Sequence, residues 1–424
     1  MESSAGERVE MMSVPVSAAD SVSLWQAGPG WVPRTAEVVV VGGGLLGVSA
    51  AYWLAEAGLG VLLLEAAVPG AGASGRNAGM VGPGLAVPYP QAVAMLGPVL
   101  ARELHRMTID NVALVRELVA TEQIDCELSA DGQLNLGVGE QGWDERRRRA
   151  DLLAAAGFAV RIVEREELDH FIGTPVAEHV CGAVFQQDAV SVNPTRLVAG
   201  IAHAARRRGA QILTGVSVQS IADDGPRIRL QTSAGPVSCA AAVVAVNAWT
   251  PALVPEMAGL VTPARAQMLA YAPTAPVFRV PASASVSHTG EYWRQTTSGQ
   301  IIVGGRRDQD RGFVTTAQTP TDEVQAAVER VLPDLFPDLD LPPVTTRWAG
   351  AMARTPDGMP IAGPVPGVPG AWFSVGCNGH GLCFAALLGR SLAQAVIDRR
   401  TPKVLEPFSP ARPTLNWTNQ SSVE

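Results

Sequence analysis

Three glycines, Gly42, Gly44 and Gly47, follow an apolar β-branched run from Val38 to Val41. A helical pattern comes next, and then a second apolar run that ends on Glu65. Residues of these types at this spacing can hold a dinucleotide. Gly42 permits the tight turn off the strand. Gly44 has no Cβ, so backbone can approach a pyrophosphate, and Gly47 lets the helix pack closely on the strand. The helix start, which includes Leu46, offers free N–H groups and a positive dipole end to the diphosphate. Glu65, followed by Ala66, stands where a carboxylate accepts hydrogen bonds from ribose hydroxyls.

These elements must be positioned by a chain of 424 residues, long enough for two domains. Its hydrophobic content of 47% and charged content of 17% describe a globular protein. A net charge of −8 argues against nucleic acid and against an anionic membrane surface. The basic runs Arg146–Arg149 and Arg206–Arg208 read as solvated faces of Ala-rich helices. Cys126, Cys181, Cys239, Cys377 and Cys383 form no CxxC, so neither zinc nor a redox dithiol is indicated, and no metal is expected. They read as reduced thiols of a cytoplasmic protein. The first twelve residues lack the pattern of a secretory signal, and the apolar region 37–64 reads as a buried soluble unit rather than a membrane span.

Along the chain, residues 1–35 form an extension expected to be partly disordered, with Trp25 and Trp31 as anchors. Leu100, Leu104, Met107, Leu114 and Leu118 predict a helix over 96–122, with Asn111 interrupting the stripe. A strand over 133–138 and helices over 143–156 and 194–209 follow. Residues 210–221 and 238–247 read as single strands, the second buried on both faces. Residues 262–315 read as an antiparallel block, 320–332 as a helix, and 381–397 as a closing helix. This order predicts an α/β fold: a Rossmann-like cofactor-binding domain with an inserted antiparallel-sheet substrate domain. The cofactor domain takes 36–95, 190–262 and 345–400. The substrate domain takes 96–189 and 263–344, and 401–424 is a tail.

Several motifs then coincide. GASGRNAGM runs from Gly72 to Met80, WAGAMARTPDGMPIAG from Trp348 to Gly363, and VGCNGHGLCFAALLG from Val375 to Gly389. With the segment Val38–Glu65 they resemble the D-amino-acid-oxidase-like flavoproteins, which include glycine oxidase, sarcosine oxidase and gamma-glutamylputrescine oxidase. Residues 122–136 and the neighbourhood of Leu24 and Trp25 resemble the last of these. The resemblance spans nearly all of 36–400 and implies FAD. Further Gly-rich turns at 72–79 and 376–381 suit a larger, stiffer ring system than a nicotinamide. Ser74, Arg76, Asn77, Gly79 and Met80 are placed by it near the diphosphate or the flavin edge. Gly379, His380, Gly381 and Leu382 are placed near the flavin N1–C2=O edge, where helix-start N–H groups favour an anionic reduced flavin. Val218 resembles the position whose backbone meets adenine. Asn247, Ala248 and Trp249 resemble a turn that closes over the cofactor.

The chain also departs from the family. Gly350 stands where some sarcosine oxidases carry a flavin-linked cysteine, and residues 72–80 contain no histidine, so FAD is expected to be non-covalent. Met352 and Cys383 stand where the family carries a cationic carboxylate anchor, leaving Arg294, Arg306 and Arg354 as substitutes. Ile302 stands where sarcosine oxidase has the lysine that speeds oxygen reduction. The expected reaction is hydride transfer from the carbon next to an amine to flavin N5, giving an imine that hydrolyses to a carbonyl. Tyr292, Arg294, Trp348 and Met352 are expected to line the pocket, with His380 shaping the flavin site. The partners are a small-molecule amine or amino acid and O2 or another electron acceptor, with no nucleic acid or membrane. Oxidation of glycine, sarcosine or a D-amino acid is the alternative, and a purely structural FAD is a third reading.

Overall fold

The computed structural model describes residues 32–284 and 290–416. The proposed disordered extension with Trp25 and Trp31 lies outside the described residues but for its last positions. Val38, Val39, Val40 and Val41 are all buried because their strand, Thr35–Val41, has a parallel partner on each edge. Those partners are Val61–Glu65 and Gly235–Val244. The first sheet runs Ile361–Pro364, Ala371–Val375, Gly235–Val244, Thr35–Val41, Val61–Glu65, Gln211–Thr214. An antiparallel ribbon, Val218–Asp224 and Arg227–Thr232, hangs from Gly235–Val244.

The α-helices are α1 (Leu45–Glu56), α2 (Tyr89–Leu96), α3 (Pro98–Thr121), α4 (Gly139–Ala155), α5 (Pro194–Arg207), α6 (Thr250–Leu253), α7 (Asp322–Glu329), α8 (Val331–Leu335) and α9 (Ala385–Asp398). Helix α9 lies on the start of α1. A Cβ on Gly389 would come within 2.5 Å of the Leu46 carbonyl oxygen, and Ser49 Oγ donates to the Ala386 carbonyl at 2.7 Å.

The second sheet runs Val344–Arg354, Thr262–Pro273, Gln300–Gly304, Glu291–Gln295, Ala282–Ala284, Gln133–Val138, Val180–Gln186, Arg161–Glu164. Its neighbours are antiparallel except Ala282–Ala284 with Gln133–Val138. Register fixes two faces. Leu269, Val303 and Trp293 are paired across three strands and pack against α7 and α8. Tyr292, Arg294, Ile302, Gly304, Trp348, Gly350 and Met352 share the opposite face.

Several boundaries differ from the sequence expectation, each for a local reason. The 96–122 helix is α3, separated from α2 by Gly97 at φ +79°. The single strand over 210–221 is two, because the chain leaves the sheet at Gly215 (φ +73°) to begin the ribbon. The 238–247 strand stops at Val244, and Asn247 turns at φ +48°. The boundary drawn at 345 falls inside Val344–Arg354, which pairs along its length with Thr262–Pro273. The Arg206–Arg208 run is not simply a solvated face. Arg207 and Arg208 both reach the Glu122 carboxylate at 2.6 Å, and Arg208 lies over the Tyr52 ring. The tail also folds back up to Asn416: Leu405, Phe408, Arg412 and Leu415 are buried.

Candidate active site

Gly42 sits at φ +102°, and a Cβ there would come within 2.5 Å of the Ala245 carbonyl oxygen. A Cβ on Gly47 would come within 1.9 Å of the Gly42 carbonyl oxygen. These two contacts seat α1 directly on the end of Thr35–Val41. Among the described residues nothing accepts a hydrogen bond from the N–H groups of Gly44, Leu46 or Gly47. Ser74 Oγ accepts from Leu45 N at 2.9 Å. Glu65 Oε2 accepts from Gly43 N at 2.6 Å and Oε1 from Ala67 N at 2.8 Å. The exposed Ala66 lies between. Unpaired N–H groups at a positive helix end, rimmed by a carboxylate, fit the diphosphate and ribose of a dinucleotide.

The segment 72–80 is stitched by its own side chains. Asn77 Nδ2 donates to the Ala73 and Ser74 carbonyls at 2.9 Å, and its Oδ1 accepts from Gly79 N at 2.7 Å. Gly79 is positive in φ, and a Cβ there would come within 1.9 Å of the Val192 carbonyl oxygen. Arg76 is tied to backbone. Its guanidinium donates to the Ala71 and Ala349 carbonyls, and Trp348 Nε1 donates to the Arg76 carbonyl at 3.0 Å. It is a strap between the dinucleotide loop and Val344–Arg354. Met80 begins the short strand Met80–Val81, paired with Val190–Ser191.

The GHG turn is held from two sides. Thr355 N donates to Asn378 Oδ1 at 2.9 Å, and Asn378 Nδ2 donates back to Thr355 Oγ1 at 2.9 Å. Buried Asn111 donates from Nδ2 to the Leu382 carbonyl at 2.8 Å, and its Oδ1 accepts from Leu387 N at 3.0 Å. The residue that broke the apolar stripe of α3 is therefore a clamp on the turn. Its only sequence signal was that interruption. Replacing Asn111 with leucine leaves two buried backbone groups unpaired, at about 1–3 kcal/mol each. We expect a lowered melting temperature and faster flavin loss, read by thermal denaturation and by dialysis of the holoenzyme.

Among the described residues nothing accepts from the N–H groups of Gly381 and Leu382. The expected closing helix starts at Ala385, with Gly381–Cys383 as a 3-10 turn before it. Burial holds the His380 pKa down at about 4, the Asn378 carbonyl opposes this, and the Arg307 and Arg149 guanidiniums lower it further. Its imidazole is neutral at pH 7. Burial pushes the Cys377 and Cys383 thiols up to about 12, so neither is a thiolate.

Met352 Sδ would lie 3.3 Å from a Cβ on Gly379, and Gly350 faces the Arg76 side chain. The Tyr292-bearing face of the second sheet thus meets the GHG turn and the 72–80 loop. Burial raises the Tyr292 phenol and Arg307 partly offsets it. Arg294 spends one donor on the Val192 carbonyl at 2.8 Å. Arg306 pairs with Glu291 at 3.2 Å and Asp334 at 3.6 Å, and Arg354 is exposed. A polar chain follows Tyr292 along the same face: Ser283 Oγ donates to Asn135 Oδ1, Asn135 Nδ2 to Gln186 Oε1, and Gln186 Nε2 to the Pro83 carbonyl. Sequence reasoning missed these residues, because nothing local marks a polar residue that register alone aligns. Of the turn at 247–249, Asn247 donates to the Ala351 carbonyl at 3.3 Å, Ala248 is buried and Trp249 is 39% exposed. Val218 opens the ribbon, two residues past Val216, whose N–H donates to the Glu65 carbonyl.

Among the described residues, no group of three or more His, Cys, Asp and Glu is placed to hold a metal ion, and no helix is long and apolar enough to cross a membrane.

Comparison with known proteins agrees with this geometry. The chain is 28% identical over 380 residues to a probable oxidoreductase OrdL of Rhizobium meliloti (strain 1021), covering 87% of this chain and 84% of that one. It is 28% identical over 381 residues to gamma-glutamylputrescine oxidoreductase of Escherichia coli (strain K12), covering 85% and 83%. The fold is that of glycine oxidase from Geobacillus kaustophilus, with a TM-score of 0.75 at 24% identity, over 90% of this chain and 99% of that structure. A model of the FAD dependent oxidoreductase family, DAO, matches residues 37–395. With that match spanning the glycine cradle, the stitched loop and the GHG turn, the chain belongs to the FAD dependent oxidoreductase family.

Proposed function

We propose that the protein oxidises the C–N bond of a small amine or amino acid, held between the second sheet and the GHG turn, and gives an imine that water hydrolyses to a carbonyl. The observation that carries this reading is the approach of Met352 to Gly379, which closes the Tyr292-bearing face over the turn. The first sheet with α1, α5 and α9 serves as the cofactor unit, and the second sheet with α4, α7 and α8 as the substrate unit. Glu65 and Ala66 meet the ribose, the backbone at Val218 meets adenine, and the Asn247–Trp249 turn lies over the cofactor. FAD, when bound, supplies the two-electron acceptor. Binding is non-covalent, because Gly350 and the histidine-free 72–80 segment offer no attachment point.

The chain's own residues orient and desolvate. The Gly381 and Leu382 N–H groups favour negative charge at the ring edge beside them. Tyr292, with its phenol kept protonated, presents a donor to the pocket. Trp348, Met352 and Ile302 exclude water around the reacting carbon. Ile302, paired opposite Arg294, brings no cation to an oxygen-reduction site, so a slow oxidase or a dehydrogenase is favoured over a fast oxidase. Five free cysteines fit a cytoplasmic location.

The test is an anaerobic visible spectrum of the holoenzyme mixed in turn with amines and amino acids. Bleaching by one class supports the reading, and the rate of colour return in air separates oxidase from dehydrogenase. A flavin that no member of a broad panel bleaches would favour a structural FAD.

A further inference from the structure

Arg294 is 6% exposed, and the fold uses only part of its guanidinium. Nη2 donates to the Val192 carbonyl at 2.8 Å. Nε is buried and meets no acceptor, and Nη1 donates to nothing among the described residues. No described carboxylate bonds it either. Glu127 is the acid whose charge reaches it, and that carboxylate is already held by Arg196 at 3.3 Å and by Thr297 at 2.9 Å. Burial lowers the Arg294 pKa and Glu127 opposes this, but a guanidinium starts so far above neutrality that it stays charged. A buried cation without an acid of its own is costly, and such groups gather where the charge acts on something beyond its own packing.

Its neighbours fix where the charge stands. Val192 N donates to the Gly79 carbonyl at 2.8 Å, and the Val192 carbonyl oxygen lies 1.9 Å from the Cβ position of Gly79. Ser191 pairs with Met80. One residue, Val192, therefore joins Arg294 to the 72–80 loop, while the open N–H groups of Gly381 and Leu382 belong to the GHG turn. Ile302, opposite Arg294 in register, is apolar and brings no counter-charge. Arg76, the other guanidinium on the loop, bonds two carbonyls and is only half-buried, so water screens it. In a site that excludes water, an unscreened charge acts over a longer range.

We propose that Arg294 is the fixed cation of the flavin site, standing on the 72–80 side and raising the reduction potential of the bound cofactor. The oxidised ring is neutral, and a hydride, two electrons with one proton, leaves it with one negative charge. That charge is what the guanidinium favours, through space rather than as a substrate contact. This rests on FAD lying between the loop and the GHG turn, and not on which amine is oxidised.

The experiment measures the midpoint potential of the holoenzyme against a reporter dye, which needs no substrate. Arg294→Gln keeps a donor for Val192 and removes the charge. It should lower the potential by about 30 mV or more, a tenfold change in a two-electron equilibrium. Arg294→Lys should restore most of it, and Arg116→Gln, on the exposed face of α3, should leave it unchanged. Sulfite gives a second readout, because its lone pair bonds N5 of the oxidised ring and leaves a negative charge on it. The parent should take up sulfite, and Arg294→Gln should raise the Kd by about tenfold or more. Arg294→Met, which keeps the packed stem, replaces the Gln variant if the latter does not retain flavin. An unchanged potential or sulfite Kd in a flavin-loaded variant without the charge, no sulfite uptake by the parent, or an equal loss in Arg294→Lys would each overturn the proposal while amine oxidation stands. Weaker binding of a bleaching amine at unchanged potential would make Arg294 a substrate contact and overturn it too. A flavin bleached by no amine or amino acid would sink the amine reading and leave the potential shift untouched.

Discussion

Gly47→Ala is expected to give a protein that purifies colourless or does not fold. The new Cβ would lie 1.9 Å from the Gly42 carbonyl oxygen and 3.5 Å from Ala245 Cβ. Neither side can retreat. Gly42 N donates to the Leu64 carbonyl at 2.8 Å and Ala245 N to the Val41 carbonyl at 2.8 Å, so the turn is fixed from both neighbouring strands. Helix α1 would have to move off the sheet and away from α9, breaking the Ser49 bond to Ala386. Overpacking of this kind costs about 3 kcal/mol or more, and here it also displaces the N–H groups that would meet a diphosphate. Gly142→Ala is the control: it sits in α4 with nothing within 4 Å of the added methyl. It should be neutral or stabilising by up to about 1 kcal/mol. Flavin absorbance per mole of protein and the melting temperature read both variants. A yellow Gly47→Ala protein of parental stability would refute the close-packed turn.

Arg412→Ala should destabilise the protein by about 3–5 kcal/mol, the usual cost of breaking a buried ion pair by removing one partner. Arg412 Nε and Nη2 donate to the two Asp357 oxygens at 2.7 and 2.9 Å, and Nη1 donates to the Pro360 carbonyl at 2.8 Å. Thr414 Oγ1 adds a third donor to Asp357 at 2.6 Å. The side chains are 7% and 0% exposed, so water cannot substitute. The loss should reach the flavin as well. The Asp357 loop carries Thr355, and Thr355 holds Asn378 of the GHG turn. Asp357→Asn with Arg412→Met should cost less than the sum of the single changes, since no unpaired charge remains. Burial raises the Asp357 carboxyl, but the Arg412 hydrogen bond and charge and the Thr414 bond outweigh it and hold its pKa below the ordinary value. A depressed folded-state pKa stabilises above the unfolded value of about 4 and is lost as pH falls through the folded value. The stability gap between parent and Arg412→Ala should therefore be full near neutrality and shrink below about pH 4, as denaturation at several pH values would show.

The dinucleotide unit could be read in the sequence because its physics is local. Tight turn, close backbone approach and helix start depend on residues within a few positions of each other. Gly42 and Gly47 are the close-packed turn between strand and helix that the spacing implied, and Glu65 ends the second strand. The strand Gln133–Val138 and the core of α3 also stand where the sequence implied. Element ends were less legible. A strand does not announce where it leaves its sheet, and Gly215 ends one only because the next pairing is antiparallel. The tail shows the same limit. Nothing near Arg412 in the chain hints that its partner is Asp357, 55 residues away.

The sequence by itself determined the cofactor class, the α/β architecture and the glycine-rich turns, since each is written in short-range spacing and glycine placement. Tertiary structure alone decided which polar groups are left without partners. Arg76 and Arg294 were candidates to meet ligand; the fold ties Arg76 to two backbone carbonyls, and gives Arg294 one while its buried Nε keeps no partner. Asn111 was a flaw in a stripe, and the fold makes it a clamp. Arg149 was one of four consecutive arginines, and packing leaves it half-buried beside Gly84. Whether a buried charge is satisfied depends on the long-range neighbours that desolvate it and the acceptors they bring, and neither can be counted along a single chain.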